Sequence, residues 1–164
     1  MNLADVAARA AELTDERQLA DLRRAADEEL EAAARSEDFR MRAVAYRAVG
    51  QLRFRQKTEL LRRGLEDESP ACRGSALLSL EALSRDHAGV VNGVRPLLHT
   101  LANADPNHTV RRMAVLALKN GSPQPDTLVL LEHIADSDEE DKELRAAAKR
   151  VVEVLKKKSR SRPK

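Results

Sequence analysis

Four arginines stand at matching places in four segments that can be laid over one another, and they are the first residues to test for chemistry. The segments are Met41-Arg42-x-x-Ala45-x-x-x-Val49, Cys72-Arg73-x-x-Ala76-x-x-x-Leu80, Val110-Arg111-x-x-Ala114-x-x-x-Leu118 and Leu144-Arg145-x-x-Ala148-x-x-x-Val152. A guanidinium near the start of a helix can bond acids and free carbonyls of a neighbouring turn bidentately, so a structural role for Arg42, Arg73, Arg111 and Arg145 outweighs ligand contact. The other reactive types form no constellation. His87, His99, His108 and His133 show no i, i+4 pairing, which argues against a metal site. Cys72 shares a core position with Met41, Val110 and Leu144 and reads as a small buried hydrophobe. There is no Gly-rich phosphate loop, nucleophile elbow or dedicated acid/base pair, so the expectation is no enzyme, no catalytic residue and no cofactor.

The elements that carry these arginines are helices. Asp105 to Gly121 is the clearest: Asp105-Pro106-Asn107 opens it, Val110, Ala114 and Leu118 fall at i, i+4, i+8, and Asn120-Gly121 closes it. The start-to-start steps between the four copies are 31, 38 and 34 residues. A period in the thirties is the mark of a solenoid, whose units bury their apolar faces against each other.

Before the copies, residues 3–13 predict a short helix, and Thr14 is a plausible N-cap for a long one over 15–35 with Leu19, Leu22, Ala26, Leu30 and Ala33 as its stripe. Second helices are expected over 55–66, 90–103 and 125–135, with Pro96 starting or kinking the middle one. From Lys156 the sequence KKKSRSRPK reads as a basic disordered tail over 156–164. The organisation expected is one domain over 1–155, with repeats roughly 15–53, 55–84, 88–121 and 125–155.

The acid six residues before the arginine, as in Asp67 to Arg73 and Asp105 to Arg111, together with small mid-helix Ala and Pro96 in a preceding helix, resembles the HEAT repeat family, including PBS-lyase-type HEAT repeats. The resemblance implies an all-α, right-handed α-solenoid of about four helix pairs plus a short N-terminal helix, with the Arg-bearing helices on the concave side. Ser36 and Glu139 replace the acid before Arg42 and Arg145, although Asp38 and Asp141 could serve. Two HEAT-like enzyme groups find no echo here. Alkylpurine DNA glycosylases of this fold are implied to use aromatics beside an acid, and this chain has no Trp; nothing argues for a bilin-lyase chromophore site.

Composition agrees with a helical, non-enzymatic chain: 164 residues, 2% aromatic and 34% charged. A single Cys excludes an internal disulfide, and no apolar leader or span is visible, so a soluble cytoplasmic protein without membrane contact is expected. The acidic first helices and the charged last helix look like solenoid caps, which favours a monomer.

Two surfaces are candidates for partners. On the aligned helices one column reads Tyr46-Arg47, Leu77-Leu78, Val115-Leu116 and Lys149-Arg150. Facing the concave side, it would make an apolar groove flanked by positive charge, with Arg112 and Lys119 beside it, suited to a protein or peptide segment. Alternatively Leu77 and Val115 only widen the buried stripe.

The second surface follows from charge segregation. Residues 39–64 carry 8 basic and 1 acidic residue, and 145–164 carry 9 and 1, against acidic blocks over 1–38 and 122–144. Arg40, Arg47, Arg53, Arg55, Lys57, Arg62 and Arg63, joined by Lys156, Lys157, Lys158, Arg160, Arg162 and Lys164 of the tail, could bind nucleic-acid phosphates. The bland reading is solvated faces paired with their acidic neighbours. The expectation is a non-catalytic scaffold holding a protein segment, with nucleic-acid backbone binding as the alternative.

Overall fold

The structure is a computed structural model that describes residues 2–161. Among them are ten α-helices, one 3-10 turn over Arg55–Lys57, and no strand. The helices are α1 (Leu3–Ala11), α2 (Glu16–Ala34), α3 (Phe39–Gln51), α4 (Thr58–Leu65), α5 (Pro70–Ser84), α6 (Gly89–Asn92), α7 (Arg95–Ala104), α8 (His108–Leu118), α9 (Pro125–Asp136) and α10 (Lys142–Ser161). Short polar side chains set many of their starts. Asn2, Asp15, Asp38 and Asn107 each accept a backbone N–H from the first turn of α1, α2, α3 and α8. The cap of α2 is therefore Asp15 rather than Thr14; its carboxylate meets the Gln18 amide at 3.0 Å.

The chain divides into two compact units, the first ending at Leu83 and the second beginning at Ser84. In the first, α3 packs against α1 and α2, and α5 approaches α3 closely where Gly50 faces Ser79. The Ser79 hydroxyl accepts the Gly50 N–H at 2.9 Å and donates to the Tyr46 carbonyl at 2.5 Å. Leu19, Leu30, Leu52, Leu61, Leu65, Leu77 and Leu80 fill the interior, each contributing about 2 kcal/mol by leaving water. Arg53 closes α3 in the left-handed region, φ 51°, where glycine is usual. Its guanidinium compensates by donating to the Leu13 carbonyl at 2.5 Å and the Ala10 carbonyl at 3.3 Å, where the chain leaves α1.

In the second unit α8 packs against α7 and α10, and α10 packs along α9. The core is Leu98, Val115, Leu118, Leu131, Ile134, Leu144 and Leu155. The continuous helix expected over 90–103 is broken into α6 and α7. Asn92 and Gly93 end α6; the Asn92 side chain accepts the Ser122 N–H at 2.9 Å and donates to the Ser122 hydroxyl at 2.9 Å. Pro96 then lies in the first turn of α7, where its missing N–H costs nothing, so it starts the helix rather than kinking it.

The larger correction concerns the C-terminus. Residues 156–161 continue α10 instead of forming a disordered tail. Lys and Arg are good helix formers, and cations in a last turn oppose the helix dipole favourably. The apolar stripe also runs on: after Leu155 comes Lys158, half-buried, its ammonium donating to the Lys119 and Gly121 carbonyls at the end of α8. Arg162 and Lys164 lie outside the described residues.

Candidate functional site

Three of the four recurrent arginines, Arg42, Arg73 and Arg111, are spent inside the protein. Arg42 forks onto Asp67, 25 residues on, through Nε at 2.9 Å and Nη2 at 3.1 Å, while its Nη1 donates to the Ser36 and Glu37 carbonyls. Arg73 repeats the second half of this arrangement on the Asp67 and Glu68 carbonyls, at 2.9 and 3.1 Å. Those carbonyls lie six and five residues before each arginine, so the contact does not need an acid there, and Ser36 serves as well as Asp67. Arg111 forks onto Glu140, 29 residues on, at 2.7 and 2.8 Å, with Nε on the Ala102 carbonyl. The acid that completes this pair is Glu140; Asp38 and Asp141, expected to serve Arg42 and Arg145, instead cap α3 at the Arg40 N–H and α10 at the Leu144 N–H. Arg145 makes only a 3.6 Å approach to Asp138.

These pairs leave electrostatic marks. Burial works against ionisation of Asp67, but Arg42 and the Ser69 amide outweigh it and hold the carboxyl below its ordinary range. Hydrogen bonds from Arg111 likewise hold Glu140 low. Cys72 is wholly buried and donates its thiol to the Phe39 carbonyl at 3.2 Å; burial pushes its pKa up, away from a nucleophile's. A thiol-reactive disulfide reagent is therefore expected to modify Cys72 only on unfolding, and stoichiometric labelling of the folded chain within minutes would contradict that burial. Among the described residues no cluster of three or more His, Cys, Asp or Glu is placed to hold a metal. His99 shares a 2.8 Å hydrogen bond with Thr127, and burial lowers its pKa.

The groove column divides by burial. Tyr46, Leu77 and Val115 are at most 3% exposed and belong to the core, so they cannot touch a partner; the wider buried stripe is what the structure shows for them. Leu78 is 44% exposed and Leu116 is intermediate. In the second unit Arg112 is engaged by Glu143, Lys119 is intermediate, and Lys149 and Arg150 are exposed.

What remains in the first unit is a two-helix surface. Arg40, Val44, Arg47 and Gln51 run along α3 at i, i+4, i+7, i+11; Ala71, Ser75, Leu78 and Ala82 run along α5 at the same spacing. None of the eight is buried. The Gly50–Ser79 contact sets these two stripes side by side. Val44 at 38% and Leu78 at 44% supply apolar area, and Met41 at 51% and Phe39 at 48% extend it along the first turn of α3. Glu81 is the single acid in the two helices; it lies one turn from Leu78, about 60° around α5, and borders the stripe on the side away from α3. Sequence reading missed Val44 and placed Met41 in the core. Met41 instead sits at the rim, its sulfur 3.6 Å from the Ser36 hydroxyl.

The basic block over 39–64 is largely consumed. Lys57 is held between Asp27 at 2.6 Å and Glu31 at 2.8 Å and lies 5.4 Å from the Phe54 ring centroid, and Arg40 contacts Asp38 at 3.3 Å. Arg53 is bonded to carbonyls as above. Arg55, Arg62 and Arg63 are exposed. On α10, Lys156 meets Glu132 at 2.8 Å, and Lys157 and Arg160 are exposed.

No helix among the described residues is long and apolar enough to cross a membrane. No protein-family model matches the chain, and no curated protein matches it either.

Proposed function

We propose that this chain is a non-catalytic interaction module of HEAT-like helix pairs stacked as a solenoid, which holds an acidic, amphipathic segment of a partner protein on the exposed face of α3 and α5. The observation that carries this reading is the pairing of Val44 and Leu78 on neighbouring stripes with Arg47 beside them, while Asp38 against Arg40 and Glu81 one turn from Leu78 mark the ends of the face. An apolar strip of this kind costs free energy in water and gains it under a partner's apolar face. The Arg47 guanidinium favours carboxylates over ammoniums at its edge. Small Ala71, Ser75 and Ala82 leave room for a helix or an extended chain to lie close.

The pairing of Arg42 with Asp67 and of Arg111 with Glu140, each bridging one helix to the turn before a later one, supports the repeat reading. Nucleic-acid binding through residues 39–64 has less support, because Lys57, Arg40 and Arg53 already have internal partners.

A photo-crosslinking residue in place of Leu78 tests the location. With an 18-residue helical peptide bearing a Leu stripe and Glu on its polar face, it is expected to give a covalent adduct; the same residue in place of Ala25, exposed on α2, is expected to give none. Equal adducts at both positions would remove the assignment.

A further inference from the structure

The helical continuation of α10 creates a second surface, in the second unit and independent of the docking face on α3 and α5. We propose that the exposed face of α10 from Lys149 to Arg160 docks the phosphate backbone of nucleic acid without reading its sequence.

Lys149, Arg150, Lys157 and Arg160 are all exposed and form no ion pair with any described residue. Eleven residues of helix separate the first from the last, about 16 Å at 1.5 Å per residue. Glu153 is the only acid within that span and shares the face, one turn from Lys149, Arg150 and Lys157, which leaves the row a net charge of +3. A duplex carries a charge every ~1.7 Å of its axis, so each of four cations held over that distance has a phosphate within reach.

The structure also separates cations that look alike in the run KKKSR. Lys156 is partly neutralised by Glu132 at 2.8 Å. Lys158 points inward and caps the carbonyl end of α8, its Nζ 3.2 Å from the Gly121 carbonyl, where burial lowers its pKa. It fixes the helix to the unit rather than facing solvent.

Other polyanions fit less well. The apolar side of α10, with Leu144, Ala148, Val151 and Leu155, is buried, so none of it is free to enter a lipid surface. An acidic protein segment would need apolar complement, and Val154 alone offers any on the exposed side. No Phe, Tyr or Trp occurs after Phe54, so bases find no stacking platform and recognition stops at phosphate.

Fluorescence anisotropy of a labelled 20-base-pair duplex, titrated with the full chain between 50 and 200 mM KCl, is the test. With four phosphate contacts the slope of log K against log salt is expected near −3.6, an affinity loss of about 150-fold over that range. Lys149→Ala, Arg150→Ala, Lys157→Ala and Arg160→Ala are each expected to reduce the slope by about 0.9, equally on two unrelated sequences, whereas Lys158→Gln leaves it within error. The quadruple alanine variant, checked for an unchanged circular dichroism spectrum, is expected to lose binding. Wild-type slope and affinity in that variant, no detectable binding by the wild type at 50 mM salt, or competition by poly-glutamate as effective as by unlabelled duplex would each overturn the proposal. Val44→Asp with Leu78→Asp leaves the slope unchanged, so the two surfaces fail or survive separately.

Discussion

Gly50→Ala is expected to lower stability by about 2–3 kcal/mol, the reverse of what the same change does on an open helix. Inside an exposed helix, replacing Gly by Ala gains roughly 1 kcal/mol of propensity. Here a Cβ would stand 2.7 Å from the Ser79 Cα and 2.7 Å from its hydroxyl. The hydroxyl could rotate away, but the Cα is main chain, so α3 and α5 must separate and lose the Ser79 bonds to Gly50 and Tyr46. In a chain of this length the melting temperature should fall by roughly 4–12 °C. Because the obstacle is backbone, Ser79→Gly is not expected to rescue Gly50→Ala. A stabilised Gly50→Ala, measured by denaturant midpoint, would mean the helices do not meet as described.

Arg111→Met is the second large effect, about 2–3 kcal/mol destabilising. Arg111 is 8% exposed, and its guanidinium makes three directed bonds, two to Glu140 and one to the Ala102 carbonyl. Removing it leaves that carbonyl without its donor and the Glu140 carboxylate half-desolvated. Arg111→Lys should recover only part of the loss, since an ammonium cannot fork onto a carboxylate and reach a third acceptor. The pair also sets an acid limit. Glu140 is held below its ordinary value of 4.5, so its contribution is complete above that pH and is lost as pH falls through the lower folded value. Glu140→Gln should flatten that part of the stability profile; an unchanged acid slope would show that the pair contributes nothing.

Much of the helical layout was legible in the sequence because it rests on local rules. The 3.6-residue spacing of Val110, Ala114 and Leu118 and the Asn107 cap define α8 without reference to anything distant. The structural use of the arginines was legible too, since carbonyls and acids of a turn are the nearest acceptors a guanidinium finds. What escaped was anything decided by which face a neighbour covers. Leu77 and Leu78 are indistinguishable as sequence, yet they point 100° apart, and α5 buries one and leaves the other exposed. Met41 aligns with buried Cys72 but lies at a rim. The KKK run looked too charged to fold because composition cannot show that Lys158 has carbonyls to meet, 37 and 39 residues back.

Relative peptide affinity tests the docking face proposed on α3 and α5 most directly. Two fluorescent 18-residue model helices share a Leu stripe and differ only in a Glu or a Lys polar face. The wild-type chain is expected to bind the Glu peptide at least 10-fold more tightly than the Lys peptide. Val44→Asp with Leu78→Asp, both at exposed positions and so expected to fold normally, should abolish that binding, a loss of about 1–2 kcal/mol per apolar side chain. Equal affinity for both peptides, or an unchanged affinity in the folded double variant, would contradict it.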